Sequence, residues 1–277
     1  MKKIVLQVLN LTALSFFLFV IFSTEYKFDK IINSQNLRFF CLAIIFLLIS
    51  QLNVGLVWSL YLKKSSGVPL KLSFTGWINS IKGKYVPGKI TSPILRIENV
   101  VNNENKKHYY IIILIENIYL VVSNIFLGGY VFLKEFYSFK FHLVFYLIIN
   151  LLLYSISKIK RKDIYFEYLS FSYLFQFTNL FNLMGIYFAS KIFFFENAFE
   201  FSLIYQLSIA VSMIISIFPA GIGIREASAI EIAKNYPINI VEMNNAVIFY
   251  RILSVLTDSF LIFTEYIIKY KIIFRNK

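Results

Sequence analysis

Phe218-Pro219-Ala220-Gly221-Ile222-Gly223-Ile224-Arg225-Glu226 interrupts an apolar run with a helix breaker, two glycines and two adjacent opposite charges. Pro219 removes a backbone donor, and in hydrocarbon the freed backbone groups cannot turn to water, so protein or a wet cavity must satisfy them. A second interruption, Lys84-Tyr85-Val86-Pro87-Gly88-Lys89, breaks an earlier apolar stretch in the same manner. How the two breaks are read decides the architecture.

The solvent of the chain follows from its composition. With 58% hydrophobic residues, 31 Phe, 19 Tyr and a mean hydropathy of +0.68, 277 residues do not make a water-soluble globule. The expected class is an all-α polytopic membrane protein forming a single integral membrane domain over residues 1–277. Residues 4–22, 39–62, 109–133, 139–157, 168–190 and 245–268 are each long enough to cross a bilayer at about 1.5 Å per residue. The start, Met1-Lys2-Lys3 before an apolar run, imitates a secretory signal. Its following residues lack a small-x-small cleavage pattern, so an uncleaved first crossing is expected. Cys41 is the single cysteine, which excludes an intrachain disulfide and a multi-thiolate metal site.

Orientation is read from basic residues beside the crossings. The segment 63–108 carries nine Lys or Arg against Glu98 and Glu104, a net +7, which assigns it to the cytoplasm. The loop 158–167 is also basic, while 134–140 and 191–200 are nearly neutral. Residues 70–96 and 201–234 then read best as broken re-entrant helical hairpins, entering from the cytoplasmic and outer faces respectively. That choice keeps both termini cytoplasmic; of the alternatives, seven or eight full spans, the seven-span one with a full crossing at 201–218 exports the basic tail. With hairpins the chain divides into two repeats, 1–133 and 134–277, each running span, span, broken hairpin, span. The spacing supports the division: Pro87 to Pro219 is 132 residues and Glu116 to Arg251 is 135. Three crossings between copies would invert one against the other, the plan in which broken helices meet around a substrate near the midplane.

At these residues the chain resembles the lysylphosphatidylglycerol synthase transmembrane region family, whose members are described as flippase-like integral membrane proteins. The stretch 218–226 looks like that family's proline-glycine-glycine-x-glycine-x-arginine-glutamate signature, and Tyr85-Val86-Pro87-Gly88 looks like its earlier tyrosine-x-proline-glycine element. Arg251 sits where family members carry an arginine in the last span. Two departures stand out: Ala220 replaces the first glycine, and of an acidic and basic cluster in the third span only Glu116 remains. The aminoacyltransferase domain that follows this region in true synthases is not among these residues, so the chain is not expected to make an aminoacyl lipid itself.

The candidate substrate-binding residues are Lys84, Pro87, Gly88, Lys89, Pro219, Gly221, Gly223, Arg225, Glu226, Glu116 and Arg251. Lys82, Lys84, Lys89 and Arg96 surround the first break, where helix ends and cationic groups attract a phosphate, each surface charge contributing about 1 kcal/mol, and Lys84 and Lys89 are preferred because they bracket it. The simpler reading is that a cytoplasmic loop carries lysines whatever its function. Arg225 could meet a phosphate with Glu226 balancing it in the empty site; alternatively, Glu226 only stabilises the first turn of a helix beginning after Gly223. Glu116 and Arg251 occupy equivalent repeat positions, and a buried contact between them is expected. Arg251 and Asp258 lie two turns apart on one helical face. Asn and Gln residues within the spans are read as interhelical hydrogen-bond partners.

No phosphate-binding loop, dinucleotide fingerprint or metal-ligand cluster is legible, so neither a catalytic residue nor a cofactor is expected. Nucleic acid is not an expected partner, because the membrane surface accounts for the basic excess. The expected function is a flippase for an anionic phospholipid or polyisoprenyl-linked glycolipid in the cytoplasmic membrane. The alternative is a membrane enzyme or accessory subunit serving envelope lipid or glycan biosynthesis enzymes.

Overall fold

The computed structural model describes residues 34–85, 91–98, 100, 106–159, 174–193, 196–215 and 223–275, and among them there is no strand. In chain order the helices are α1 (Ser34–Ser66), α2 (Leu70–Lys82) followed by one 3-10 turn (Gly83–Tyr85), α3 (Thr91–Ile97), α4 (Lys106–Leu133) and α5 (Phe139–Ile159). They continue with α6 (Phe175–Lys191), α7 (Ala198–Ile214), α8 (Ile224–Ala233) and α9 (Ile240–Arg275). The expected all-helical class holds.

Three helices are long and apolar enough to cross a membrane: Asn36–Ser66 in α1, Lys106–Leu133 in α4 and Ile240–Ile267 in α9. Phe139–Ser155 of α5 and Ala198–Ile214 of α7 are shorter apolar helices. The expected crossing at 4–22 lies outside the described residues, as do the prolines of both expected breaks. The 17-residue α6 begins later than the crossing expected from residue 168. Its first half carries Gln176, Thr178, Asn179 and Asn182, which lower its apolarity, and of these Thr178 and Asn182 bond to neighbouring helices.

The helices are amphipathic in the inverse sense. On α4 the exposed stripe is Leu114, Ile118 and Val122, at 55–59% exposure, while Glu116, Ser123 and Asn124 are buried. An apolar outside around a polar inside is compatible with a membrane and costly in water. Inside, Leu47, Phe201, Tyr205, Val247 and Leu253 belong to one apolar cluster, and Trp58, Tyr61, Trp77, Ile81 and Ile112 to another.

Polar side chains cross-link the bundle. Tyr250 on α9 donates to Asn182 on α6 at 2.7 Å, Asn182 donates to Gln206 on α7 at 3.2 Å, and Gln206 donates to Asn124 on α4 at 2.5 Å. Asn53 on α1 donates to Thr178 Oγ1 and to the Leu174 carbonyl, both at 2.8 Å, and Ser50 donates to the Thr178 carbonyl at 2.9 Å. Of the side chains read from the sequence as interhelical partners, Asn53, Asn124, Asn182 and Gln206 bond between helices, each bond worth about 1 kcal/mol or less, whereas Asn79 accepts from Lys82 of its own helix.

Helix pairing follows one pattern twice. α2 packs on α1 and on α3, and α7 packs on α6 and on α8. α3 touches α4 as α8 touches α9; α4 lies along α7 as α9 touches α2; α1 and α6 lie against one another. The α4–α7 contact is close because of Gly128. A Cβ placed there would sit 2.7 Å from the Leu203 carbonyl oxygen and 2.8 Å from the Leu207 nitrogen, both backbone atoms that a rotamer change cannot move. Neighbouring Gly129 faces open space. Gly128→Ala is therefore expected to lower stability by about 1–3 kcal/mol. Gly129→Ala should leave stability unchanged or raise it slightly, with unfolding in mixed micelles as the common measurement.

Candidate functional site

The 3-10 turn after α2 delivers two side chains to α9. Lys84 Nζ lies 3.3 Å from Asp258 Oδ1 and 3.0 Å from Gln51 Oε1, and the Tyr85 hydroxyl donates to Asp258 Oδ2 at 2.8 Å. Lys82 reaches Glu265 Oε2 at 3.3 Å. Asp258 and Glu265 are a heptad apart on α9, so one face of that helix receives both lysines.

On the short helix α3, Arg96 is buried and its Nη1 donates to Glu116 Oε1 of α4 at 2.9 Å. The guanidinium carbon stands 4.2 Å from the centroid of the Trp58 ring, a cation–π contact made away from water. A charge at this depth persists only with such partners, because desolvation alone would expel it.

The short helix α8 begins at Gly223, whose φ of +82° suits a residue without a Cβ. Glu226 accepts the Gly223 backbone N–H with Oε2 at 2.7 Å, and its Oε1 lies 3.4 Å from Arg251 Nε on α9. Glu226 therefore caps the helix, as one reading of the sequence has it, and it also pairs with a cation, Arg251, though not with the Arg225 of the other reading. Arg225 instead donates from Nε to Ser212 Oγ of α7 at 2.8 Å.

These side chains line a cavity of about 830 Å³, within the range of about 300–1,000 Å³ typical of ligand sites. Lys82, Lys84, Arg96, Arg225 and Arg251 face it against Glu116, Glu226 and Asp258, five cations to three anions, a net +2. Four of the cations have a carboxylate within ion-pair distance; among the described residues Arg225 has none. Gln51, Asn124 and Asn182 add neutral polar groups, and Leu114, Ile209 and Ile248 supply apolar wall.

Of the residues singled out from sequence, Lys84, Glu116, Gly223, Arg225, Glu226 and Arg251 line this cavity. Pro87, Gly88, Lys89, Pro219 and Gly221 lie outside the described residues. The expected Glu116–Arg251 pairing is corrected: Glu116 pairs with Arg96 and Arg251 with Glu226. The reason is local, since each long helix meets the short helix just before it in the chain, which offers a nearer partner. Three lining residues are not among the candidates: Tyr85, which the sequence marks only as part of the motif at the first break; Asp258, marked only for sharing a face with Arg251; and Arg96, one of four cations around the first break, of which Lys84 and Lys89 are preferred.

Comparison with known protein families, with curated proteins and with solved structures finds no match to this chain.

The Arg96–Glu116 pair is the more deeply buried of the two cross-helix pairs, with side chains 7% and 5% exposed against 12% and 24% for Arg251 and Glu226. Glu116→Gln should cost about 3–5 kcal/mol, because it strands a buried guanidinium. The double substitution Arg96→Met with Glu116→Leu should recover most of that loss, since an apolar pair needs no desolvation. A double-mutant cycle of unfolding free energies checks both.

Proposed function

We propose that the chain is a lipid translocase of the cytoplasmic membrane, moving an anionic phospholipid or polyisoprenyl-linked glycolipid with its head group in the cavity and its tails in the bilayer. The observation that carries this reading is the cavity itself: set among apolar-faced helices, lined with five cations against three anions, and holding in Arg225 a guanidinium with no carboxylate in ion-pair range among the described residues. An anionic group would complete the charge balance there.

The proposed architecture has six crossings and two broken hairpins, α2 with α3 and α7 with α8, entering from opposite faces. The doubled packing pattern supports an inverted repeat, and so do the ion pairs. In each half a short helix is tied to the following long helix, by Arg96–Glu116 in one and Glu226–Arg251 in the other, with the charges exchanged. Alternate exposure of the cavity to the two sides would then need one half to rock against the other. With no nucleotide motif in the sequence, net movement would follow a substrate or ion gradient. The likeness to the lysylphosphatidylglycerol synthase transmembrane region agrees with this reading but rests on the two short motifs and Arg251.

Purified protein reconstituted in liposomes should accelerate flipping of a fluorescent phosphatidylglycerol, and Arg225→Gln should slow it about tenfold or more, the loss of one charge-assisted hydrogen bond. Lys234→Gln, an exposed change outside the cavity, should not alter the rate. Absence of flipping with head-group binding intact would favour an accessory role beside a lipid or glycan biosynthesis enzyme. Topology is tested separately in a Cys41→Ser background. A membrane-impermeant maleimide applied to intact cells should label Phe136→Cys, which lies in the α4–α5 turn, and should leave Ser66→Cys at the end of α1 unlabelled. The reverse labelling would overturn the proposed orientation.

A further inference from the structure

We infer that Arg96 is a seat for a phosphoryl group, gripped side-on by Nε and Nη2. The inference rests on the cavity holding an anionic head group, and it names the chemistry of that head group. Arg96 is 5% exposed, yet only part of its hydrogen-bonding capacity is used. Nη1 donates to Glu116, and one face of the guanidinium lies over Trp58. Among the described residues Nε and Nη2 have no hydrogen-bond partner, nor has Nε1 of the fully buried Trp58 beneath. Buried donors are ordinarily satisfied, so two open ones on a side chain that lines a cavity mark the place of an absent acceptor.

The identity of the open atoms matters. Nε–H and the adjacent Nη2–H lie parallel along one edge of the guanidinium and match two oxygens of a phosphate in bidentate fashion. Arg225 and Arg251 do not offer this edge, because Nε of the first is committed to Ser212 and Nε of the second faces Glu226. Glu116 and Trp58 fix the plane of the Arg96 group in advance, so little freedom is lost on binding. Glu116 neutralises Arg96 locally, and with Glu265 counted beside Lys82 the five cations outnumber their carboxylates by one, enough for a phosphate diester. A carboxylate would use both its oxygens on this edge. A phosphoryl group keeps further oxygens for Ser92, which lines the same cavity one helical turn before Arg96 on α3.

The chain has two tryptophans, so Trp77→Phe leaves Trp58 as a reporter directly under the guanidinium. In detergent, this variant is titrated with dihexanoylphosphatidylglycerol, with inorganic phosphate and with uncharged dihexanoylglycerol, following Trp58 emission. A saturable change with dihexanoylphosphatidylglycerol but not with dihexanoylglycerol is expected, and adding Arg96→Lys, which keeps the charge but not the fork, should weaken it about tenfold. A response to inorganic phosphate as well assigns the free anion as sufficient; a response to the lipid alone assigns the esterified head group, and both support the seat. Silence to both phosphate probes, an equal response to dihexanoylglycerol, or unchanged affinity in Arg96→Lys overturns it. Because the first arms keep Arg96 in place, they decide the matter even where Arg96→Lys fails to fold. Flipping is measured in parallel: binding without flipping removes the translocase reading and spares the seat, whereas flipping without a Trp58 response removes the seat alone.

Discussion

A charge carried into the interior of a helical bundle must find an opposite charge within a few ångströms, and in this protein that requirement ties the broken segments to the rest. Arg96 with Glu116 and Glu226 with Arg251 each join a helix of ten residues or fewer to one of 28 residues or more. A helix of seven residues has little stability of its own, so α3 persists through such tertiary contacts and not through propensity. Lys84 and Tyr85 extend the same device to the end of α2, using Asp258 on α9 as their common acceptor.

Around this charged centre the neutral polar groups act as spacers. The chain of bonds from Tyr250 through Asn182 and Gln206 to Asn124 joins α9, α6, α7 and α4. In a membrane, with apolar side chains facing outward, no hydrophobic force would draw these helices together, and hydrogen bonds with the close approach at Gly128 would set their spacing. The cavity is bounded in part by these same amides: Asn124 and Asn182 serve both as ties and as lining.

Much of this was legible in the sequence. Apolar runs gave the helices, and α1, α4, α5 and α9 begin within about five residues of the expected limits because nothing in their interiors competes with the helix. Charges embedded in apolar sequence, Glu116, Arg225, Glu226 and Arg251, marked the cavity for the same reason that they are costly there. Partnership was not legible. Which carboxylate meets which cation depends on which helices are neighbours, and the repeat spacing that linked Glu116 to Arg251 related equivalent positions instead of touching ones. Arg96 stood among the cations around the first break without being singled out, because positive charge at an expected cytoplasmic boundary has a general explanation that needs no site.

Glu226 and Asp258 share a demand that their charge alone does not express. Glu226 receives the Gly223 N–H on one oxygen and faces the Arg251 Nε–H with the other. Asp258 receives Tyr85 on one oxygen and Lys84 on the other. Each stands between two donors. At Glu226 an amide of the same shape, whichever way it is turned, presents an N–H to one of those donors; at Asp258 it must keep its oxygen on Lys84, because only the Tyr85 hydroxyl can accept in turn. Near-isosteric replacement is thus the wrong measure of conservatism at Glu226, where either setting of the rotor would detach a helix start or the neighbour it holds.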